Sequence, residues 1–323
     1  DPLTGELRDY VGGKADLDQR LIRAIGDADR RFEEDHLRLM RAIRQAVELE
    51  FEIEPTTWRA IQKHAHQIAK VSVERVRDEL NRILRSPHRV RGFDLLVESG
   101  LMAVILPEIL DLQGCEQPPQ FHPEGDVYVH TRLMLSHLEP DASLTLVLSV
   151  LLHDIAKPAT RSWDETAGRA RFNGHDALGA EMAETILRRL KYPNEVIHAV
   201  VDAVAVHMRF IHIQDLRVAK LKRFLARPNF EEELALHRVD CLGSNGRLEN
   251  YEFVREKQEE FSQQPLVPPR LITGADLIAR GWQPSAMFRD ILEQVETLQL
   301  EGSLKDRDSA LAWLDALPHA EPR

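Results

Sequence analysis

Cysteine is nearly absent: Cys115 and Cys241 are the only two in 323 residues. Two thiols cannot build a disulfide framework, and a reducing cytoplasm is the natural setting for such a chain. Long apolar runs are missing as well. The longest, Leu144 to Leu152, is interrupted by Thr145 and Ser149 and then meets His153-Asp154. It is too short to span a bilayer, so no membrane partner is expected. No secretory leader pattern opens the sequence. Position 1 is Asp rather than Met, from which a trimmed or partial chain is expected. There is no internal repeat and no low-complexity tract. What is present is the profile of a folded globular chain, 43% hydrophobic and 29% charged. At roughly 150 residues per domain there is room for about two domains.

The net charge of -11 argues against a protein that only clamps nucleic acid. The charge is unevenly spread, however. Residues 1–95 hold 18 Lys+Arg against 18 Asp+Glu, and residues 36–91 hold 12 against 7. An anionic polymer would meet that basic segment first.

Periodicity predicts an all-α fold. Pro and Gly between Asp1 and Leu7 predict a turn, and Gly12-Gly13 is a second breaker. From Arg31 the pattern is helical, with Met40, Ile43 and Val47 forming an apolar stripe. Pro55 starts the next helix, Ser72 can cap a third that runs to Leu84, and Phe93 to Leu106 reads as a fourth. The Pro- and Gln-rich stretch Gln113 to Pro123 is read as a domain boundary. Further helices are expected over 127–138, 143–156, 175–191, 194–208 and 230–243. A last unit is expected over 273–279, 284–300 and 306–317.

The strongest chemical signal lies in the middle block. His130 sits in a helix, His153-Asp154 ends the apolar helix, His175 follows Gly174 at a helix start, His207 ends another helix, and Asp240 lies in a further one. Divalent cations take carboxylate and neutral imidazole ligands, and a helical bundle can aim them inward from several helices. With 14 histidines some are incidental, and His36, His64 and His66 read as solvated or core-filling.

Leu151-Leu152-His153-Asp154-Ile155-Ala156-Lys157-Pro158 resembles the signature of the HD superfamily of metal-dependent phosphohydrolases. The resemblance implies that His130, His153, Asp154 and Asp240 hold one metal. It implies a second at His175 and His207, with Asp154 bridging. Catalysis would then centre on His153, Asp154 and Lys157, with Lys157 and Arg161 as phosphate contacts. Mg²⁺, Mn²⁺, Ni²⁺, Co²⁺ and Fe²⁺ all suit such ligands.

A second constellation comes earlier. In Glu34-Asp35-His36-Leu37-Arg38, Asp35 and Arg38 would share a face if the stretch were helical. Such a pair can accept from the amino group of C or A and donate to the neighbouring ring atom, or it can be a plain helical ion pair. Gly12-Gly13, Arg23, Gly26-Asp27, Arg31-Phe32, Glu34-Asp35, Arg38 and Arg41-Ala42 precede Glu74-Arg75-Val76-Arg77-Asp78-Glu79-Leu80. This series resembles the segment that follows the catalytic head in class II tRNA nucleotidyltransferases and bacterial poly(A) polymerases. Leu271 to Ile278, Gly281 and Ala310 to Leu314 resemble the C-terminal unit of the HD-bearing members.

The resemblance implies template-independent addition of C or A from CTP or ATP to the 3′ end of tRNA or another RNA. Asp35 and Arg38 would be nucleotide selectors, Arg41 would line the nucleotide site, and Glu74, Arg75 and Glu79 would support the pocket. Arg77, Arg82, Arg85 and Arg89 would follow RNA phosphates, unless that series is only a solvated face. In the family the transfer chemistry belongs to a Gly-Ser pair and an Asp-x-Asp pair that bind Mg²⁺ ahead of this neck. Neither stands in that arrangement here, so nucleotidyl transfer is not expected from this chain alone.

The expected organisation is a remnant of an α/β head over 1–30, a helical neck over 31–112, an HD domain over 113–248 and a helical tail over 249–323. A stand-alone HD phosphatase or phosphodiesterase and a non-catalytic RNA-binding protein are the alternatives.

Overall fold

The computed structural model describes residues 3–5, 8–263 and 265–317. The fold is helical, with two two-stranded ribbons among the described residues. Of the expected first turn, residues 1, 2, 6 and 7 lie outside the described part. Two compact units divide the chain: Asp1–Met208 with Glu231–Leu248, and Arg209–Phe230 with Glu249–Arg323.

The neck builds on the helix Arg38–Leu49, which buries Leu39, Met40, Ala42, Ile43, Ala46 and Val47 along one face. Spacings of three and four make that stripe, and burial of such side chains is worth about 1.5–3 kcal/mol each. Helices Val73–Leu84 and Arg89–Glu98 pack against it. A Cβ on Gly92 would collide with Ile83 Cγ2, so the close approach of those two helices needs glycine. Ser72 precedes Val73–Leu84, but its side chain makes no cap hydrogen bond, contrary to expectation.

The single helix expected over 93–106 is two. One is Arg89–Glu98 and the other Met102–Ile105, separated at Gly100, whose φ of 81° a helix cannot continue. Residues 21–30 pack with the neck. Leu21–Ile22 pairs in parallel with Glu52–Ile53, Ala24 N donates to Thr57 Oγ1, and Ala28 enters the main core.

In the second half of this unit, Leu144–Leu152 is the central helix, with Val147 to Leu152 all buried. Ser143 Oγ caps it by accepting from Leu146 N at 3.1 Å. Asn194–Val206 packs on it and on His175–Arg189. Val127–Ser136 lies against Phe230–Gly243, where a Cβ on Gly243 would come within 2.8 Å of Met134 Cγ. An antiparallel hairpin, Ser162–Asp164 with Arg169–Arg171, interrupts the helices and was not expected from periodicity.

The other unit has its own core of Ile272, Leu277, Trp282, Ile291, Val295, Leu304, Ala310 and Leu314. Its helices Gly274–Ala279, Ala286–Leu300 and Arg307–Asp315 follow the expected pattern. Asp276 starts the first by accepting from Thr273 N at 2.8 Å. Residues 209–230 cluster with this unit, with helix Val218–Leu225 and ring contacts among Phe210, Phe224 and Phe230. The one helical run among the described residues long and apolar enough to cross a membrane, Asn194–Asp215, kinks at His212 and carries the buried His207.

Candidate metal centre and nucleotide-selecting neck

His153 is the C-cap of Leu144–Leu152, so the helix ends as the His-Asp pair arrives. At this helix end the two adjacent side chains meet in one cavity, His153 Nε2 lying 3.1 Å from Asp154 Oδ2. Asp154 is 2% exposed and becomes the hub. Its Oδ2 lies 3.1 Å from His153 Nε2 and 4.0 Å from His130 Nε2. Its Oδ1 lies 3.4 Å from His175 Nε2 and 3.8 Å from His207 Nε2. Asp240 Oδ1 stands 3.2 Å from His130 Nε2, and the His175 and His207 Nε2 atoms are 3.1 Å apart. The six residues singled out from sequence therefore meet in one place. The two oxygens of one carboxylate face two separate groups of imidazoles.

The rings are held from behind. His153 Nδ1 donates to Val150 O at 2.9 Å, His175 Nδ1 to Phe172 O at 2.7 Å, and His207 Nδ1 to Val204 O at 2.6 Å. His130 Nδ1 faces Glu124 Oε1 at 2.7 Å. With Nδ1 of His153, His175 and His207 donating outward, their Nε2 atoms face the cavity, the arrangement metal-ligating histidines use. Burial pushes the His175 imidazole down and the His207 imidazole down to about 4, so both are neutral near pH 7.

Burial would raise Asp154, but the neighbouring His153 ring and the Lys157 ammonium outweigh it and hold the carboxyl well below the usual carboxylate range. Burial would lower His130, but the Asp240 and Glu124 carboxylates beside it outweigh burial and raise the ring to about 9. His130 Nε2, His153 Nε2 and Asp154 Oδ1 are buried without a hydrogen bond. Such atoms are costly to leave unsatisfied, and a divalent cation beside Asp154 would satisfy all three. The donor set fits the expected metal.

The stretch expected as a boundary, 113–123, also forms a wall of this site. Gln117 is 6% exposed, and its Oε1 accepts from Lys157 Nζ at 2.7 Å. Glu124 Oε1 takes His122 Nδ1 at 2.9 Å as well as His130. Hydrogen bonds from these histidines outweigh burial and lower the Glu124 carboxyl to about 2. These contributors were missed because Pro and Gln dominate the local composition. The available signal was Asp126, which caps Val127–Ser136 through Val129 N at 2.8 Å and ties the loop back through Gly114 N at 2.7 Å. Lys157 is buried, with Nζ 2.6 Å from Asp154 Oδ2, so it neutralises the hub.

The neck residues assemble differently from expectation. Asp35 leaves the helix, with φ −151° and ψ 101° between Ala28–Glu34 and Arg38–Leu49. Asp35 and Arg38 therefore do not share a helical face. Arg38 Nη1 reaches Glu34 Oε2 at 2.8 Å and Arg31 O at 2.8 Å. Asp35 Oδ2 instead faces Arg41 at 3.9 Å and Arg75 at 3.7 Å. Glu79, nearly buried, anchors the group by accepting from Arg44 Nε at 2.6 Å and lies 3.5 Å from Arg41 Nε. Glu74 turns away to Lys191 Nζ at 2.7 Å.

The four arginines expected on RNA separate into two kinds. Arg82 and Arg85 are exposed, and their side chains make no hydrogen bond or ion pair with any described residue. They line a surface hollow of about 440 Å³ with His88 and Asn81. Arg89 is 2% exposed and donates to the carbonyls of Leu84, Leu138, Glu139 and Pro140 at 2.9 to 3.2 Å, so no phosphate can reach it. Arg77 is held by Asp78 and Lys191 O and lies over the Tyr192 ring.

Residues 50–112 match the family described as the probable RNA and SrmB binding site of polymerase A, and residues 126–244 match the HD domain family. The chain is 31% identical to the A-adding tRNA nucleotidyltransferase of Deinococcus radiodurans, over 98% of this chain and 75% of that protein. It is 33% identical to the CC-adding tRNA nucleotidyltransferase of Thermus thermophilus, over 96% of this chain and 72% of that protein. Among solved structures, the CCA-adding enzyme of Bacillus stearothermophilus in complex with CTP superposes with a TM-score of 0.65 at 23% identity, over 95% of this chain and 68% of that one. With an HD domain behind an RNA-binding neck, and with these relatives matched along nearly its whole length, the chain belongs to the tRNA nucleotidyltransferase family.

Proposed function

We propose that this chain is the nucleotide-selecting and RNA-binding body of an enzyme that adds C or A to tRNA 3′ ends, and that its HD centre is a divalent-metal phosphohydrolase. Asp35, Arg41 and Arg75 form the base-reading group, with Arg38 held beside it by Glu34 and with Glu79 fixing Arg44 and Arg41 from beneath. A carboxylate between two guanidiniums offers an acceptor to the amino group of C or A and donors to the adjacent ring atom. Asp-x-Asp carboxylates following a Gly-Ser pair are absent from the neck approach, so these 323 residues are not expected to transfer nucleotides by themselves.

The observation that carries the hydrolase reading is Asp154, whose opposite oxygens face His153 with His130 and His175 with His207. His130, His153, Asp154 and Asp240 would hold one cation, and His175, His207 and Asp154 a second. When bound, such cations polarise a phosphoester and lower the pKa of water. The chain's own residues fix the geometry: four rings are oriented by hydrogen bonds, and Lys157 balances the bridging carboxylate. In the overall reaction a water oxygen bonds to phosphorus, the ester P–O bond breaks, and the alcohol leaves with a proton from water.

Two assays test the proposal. Phosphatase activity should require added divalent metal and vanish in Asp154→Ala with the fold intact by circular dichroism. CTP and ATP should bind the chain and lose affinity in Asp35→Ala. A folded Asp154→Ala of full activity would overturn the hydrolase reading, and unchanged nucleotide affinity in Asp35→Ala would overturn the selector reading.

A further inference from the structure

Between the helices His175–Arg189 and Asn194–Val206 the chain turns through Leu190, Lys191, Tyr192 and Pro193. Lys191 N donates to Arg188 O and Tyr192 N to Leu187 O, both at 3.0 Å, and Lys191 lies in the left-handed region at φ 56°. That is the hydrogen-bond pattern of a Schellman motif, whose left-handed position is usually glycine. A side chain there is strained, because its Cβ crowds the backbone. The two helices give the turn firm support, since Ile186, Leu187, Leu190, Ile197 and Val200 are buried in the main core.

The strained side chain has a use. Lys191 Nζ donates to Glu74 Oε1 at 2.7 Å. Tyr192 is 6% exposed, and its hydroxyl donates to Asn81 Oδ1. Arg77 lies between them: its Nη1 donates to Lys191 O, and its guanidinium sits 5.9 Å from the centre of the Tyr192 ring. Glu74, Arg77 and Asn81 are spaced by three and four on helix Val73–Leu84, so they share one face. Two consecutive residues of the turn therefore take up a whole polar face of that helix, within one compact unit. Arg75 and Glu79, four apart, lie on another face. Arg75 stands 3.7 Å from Asp35, and Glu79 accepts from Arg44 Nε at 2.6 Å.

The contacts are unequal. The Lys191 and Glu74 side chains are 57% and 46% exposed, and a pair so placed holds weakly. The Tyr192 hydroxyl is buried, and burial pushes its pKa up, so it stays a donor. Losing a buried donor costs more than losing an exposed pair.

From this arrangement we propose that Lys191 and Tyr192 are positioning residues of the nucleotide site: they hold helix Val73–Leu84, and with it Arg75 and Glu79, in register against the helical pair of the HD domain. The inference rests on the selector reading above. Neither residue touches the nucleotide; both act through the helix backbone. A shift of that helix would carry Arg75 away from Asp35 and cost the base edge a donor.

The test uses the full chain and separates positioning from mere support. Lys191→Gly removes the strain together with the side chain, so the urea midpoint should hold or rise. Tyr192→Phe keeps the ring beside Arg77 and removes one donor. With both changes, CTP affinity measured by calorimetry well below the unfolding transition should fall about fivefold, the value of one hydrogen bond. The preference for CTP over UTP should fall with it. Lys191→Arg keeps the charge toward Glu74 and should bind CTP as the wild type does. The single variants are read in the same way, so the result does not depend on the double variant folding.

Amide hydrogen exchange without nucleotide is the second readout. Amides over 77–84 should exchange at least about threefold faster in the double variant, while those of Val127–Ser136 in the same unit stay unchanged. Unchanged exchange over 77–84 overturns the proposal whatever the nucleotide does. Unchanged CTP affinity in the double variant, where Asp35→Ala has lost it, also overturns the proposal and leaves the selector reading standing. If exchange quickens and neither the double variant nor Asp35→Ala alters CTP affinity, the selector reading fails. It takes the nucleotide role of Lys191 and Tyr192 with it, and only their hold on the helix remains.

Discussion

The HD centre and the neck cluster are both built from charged side chains, yet they are made in opposite ways. At the HD centre, His130, His153, Asp154, His175 and His207 are each no more than 5% exposed, and every ring is oriented by a hydrogen bond from the side facing away from the cavity. In the neck, the Asp35, Arg41 and Arg75 side chains are 28%, 45% and 52% exposed, and their ion pairs are 3.7 and 3.9 Å long. Exposed pairs of that length are worth about 0–1 kcal/mol and do not fix a geometry. The rings of the centre are thus fixed in place by the fold, whereas the side chains of the neck cluster are not. Only Glu79, nearly buried under Arg44, gives the neck a fixed point.

Asp154→Asn should break the comparison most sharply. It removes the shared ligand of both imidazole groups, and metal affinity should fall at least about a hundredfold, beyond the loss typical of an outer-sphere change. Metal content after dialysis, read by mass spectrometry, checks this. CTP binding at the neck, a separate cluster, should stay within about twofold.

Arg89→Ala asks whether an arginine of the neck can be as structural as the HD ligands. Four carbonyls would lose their donor in a buried place, and the cost should be about 3 kcal/mol, seen as a lower urea midpoint. RNA affinity of the folded variant should not change.

Glu124→Gln keeps the size of the side chain but weakens the hold on His130. A loss of about 10- to 100-fold in metal affinity is expected, with the melting temperature little changed. Calorimetric titration with Mn²⁺ checks both claims, and an unchanged affinity would make Glu124 a loop anchor only.

The same contrast explains what could be read from the sequence. The clustering of the six candidate ligands was legible because each sits at a helix end or on a helix that periodicity also locates, and because His153-Asp154 terminates an apolar run. The helices over 127–136, 144–152, 175–189 and 194–206 fall within the expected ranges for the same reason. Glu124 and Gln117 were not legible, because Pro-rich composition signals a loop without saying whether the loop is buried. The Asp35–Arg38 pairing failed because three-residue spacing means a shared face only inside a helix, and the chain turns out of the helix at Asp35. Arg89 failed because charge counting cannot see that four carbonyls, three of them about fifty residues away in sequence, surround one guanidinium. Residues 209–230 fall within the HD family match, and the phenylalanines at 210, 224 and 230 there pack with one another.

Asp35→Asn sharpens the neck side. The amide keeps the shape but removes the charge between Arg41 and Arg75, and CTP affinity should fall about tenfold, the value of one good base contact. Stability should move by less than about 0.5 kcal/mol, as for other exposed sites. A larger loss of stability would mean that the neck, too, is preorganised.

The smallest effects belong to Arg82 and Arg85. Both are exposed, line one hollow, and have no protein partner among the described residues, so neither holds the fold together. If they follow RNA phosphates, each contributes mainly by releasing a counterion. Arg82→Ala and Arg85→Ala should each leave the urea midpoint unchanged and lower the slope of log K against log salt by about 1. A change of that size is modest at any one salt concentration and is best read from a series. Binding that weakens equally at every salt concentration would point to a shape contact instead of a phosphate contact. Arg89→Ala gives the internal control, since its guanidinium is spent on carbonyls: it should lower stability and leave the salt slope alone. The pair of results separates the arginines that the chain uses on itself from those it holds for a partner.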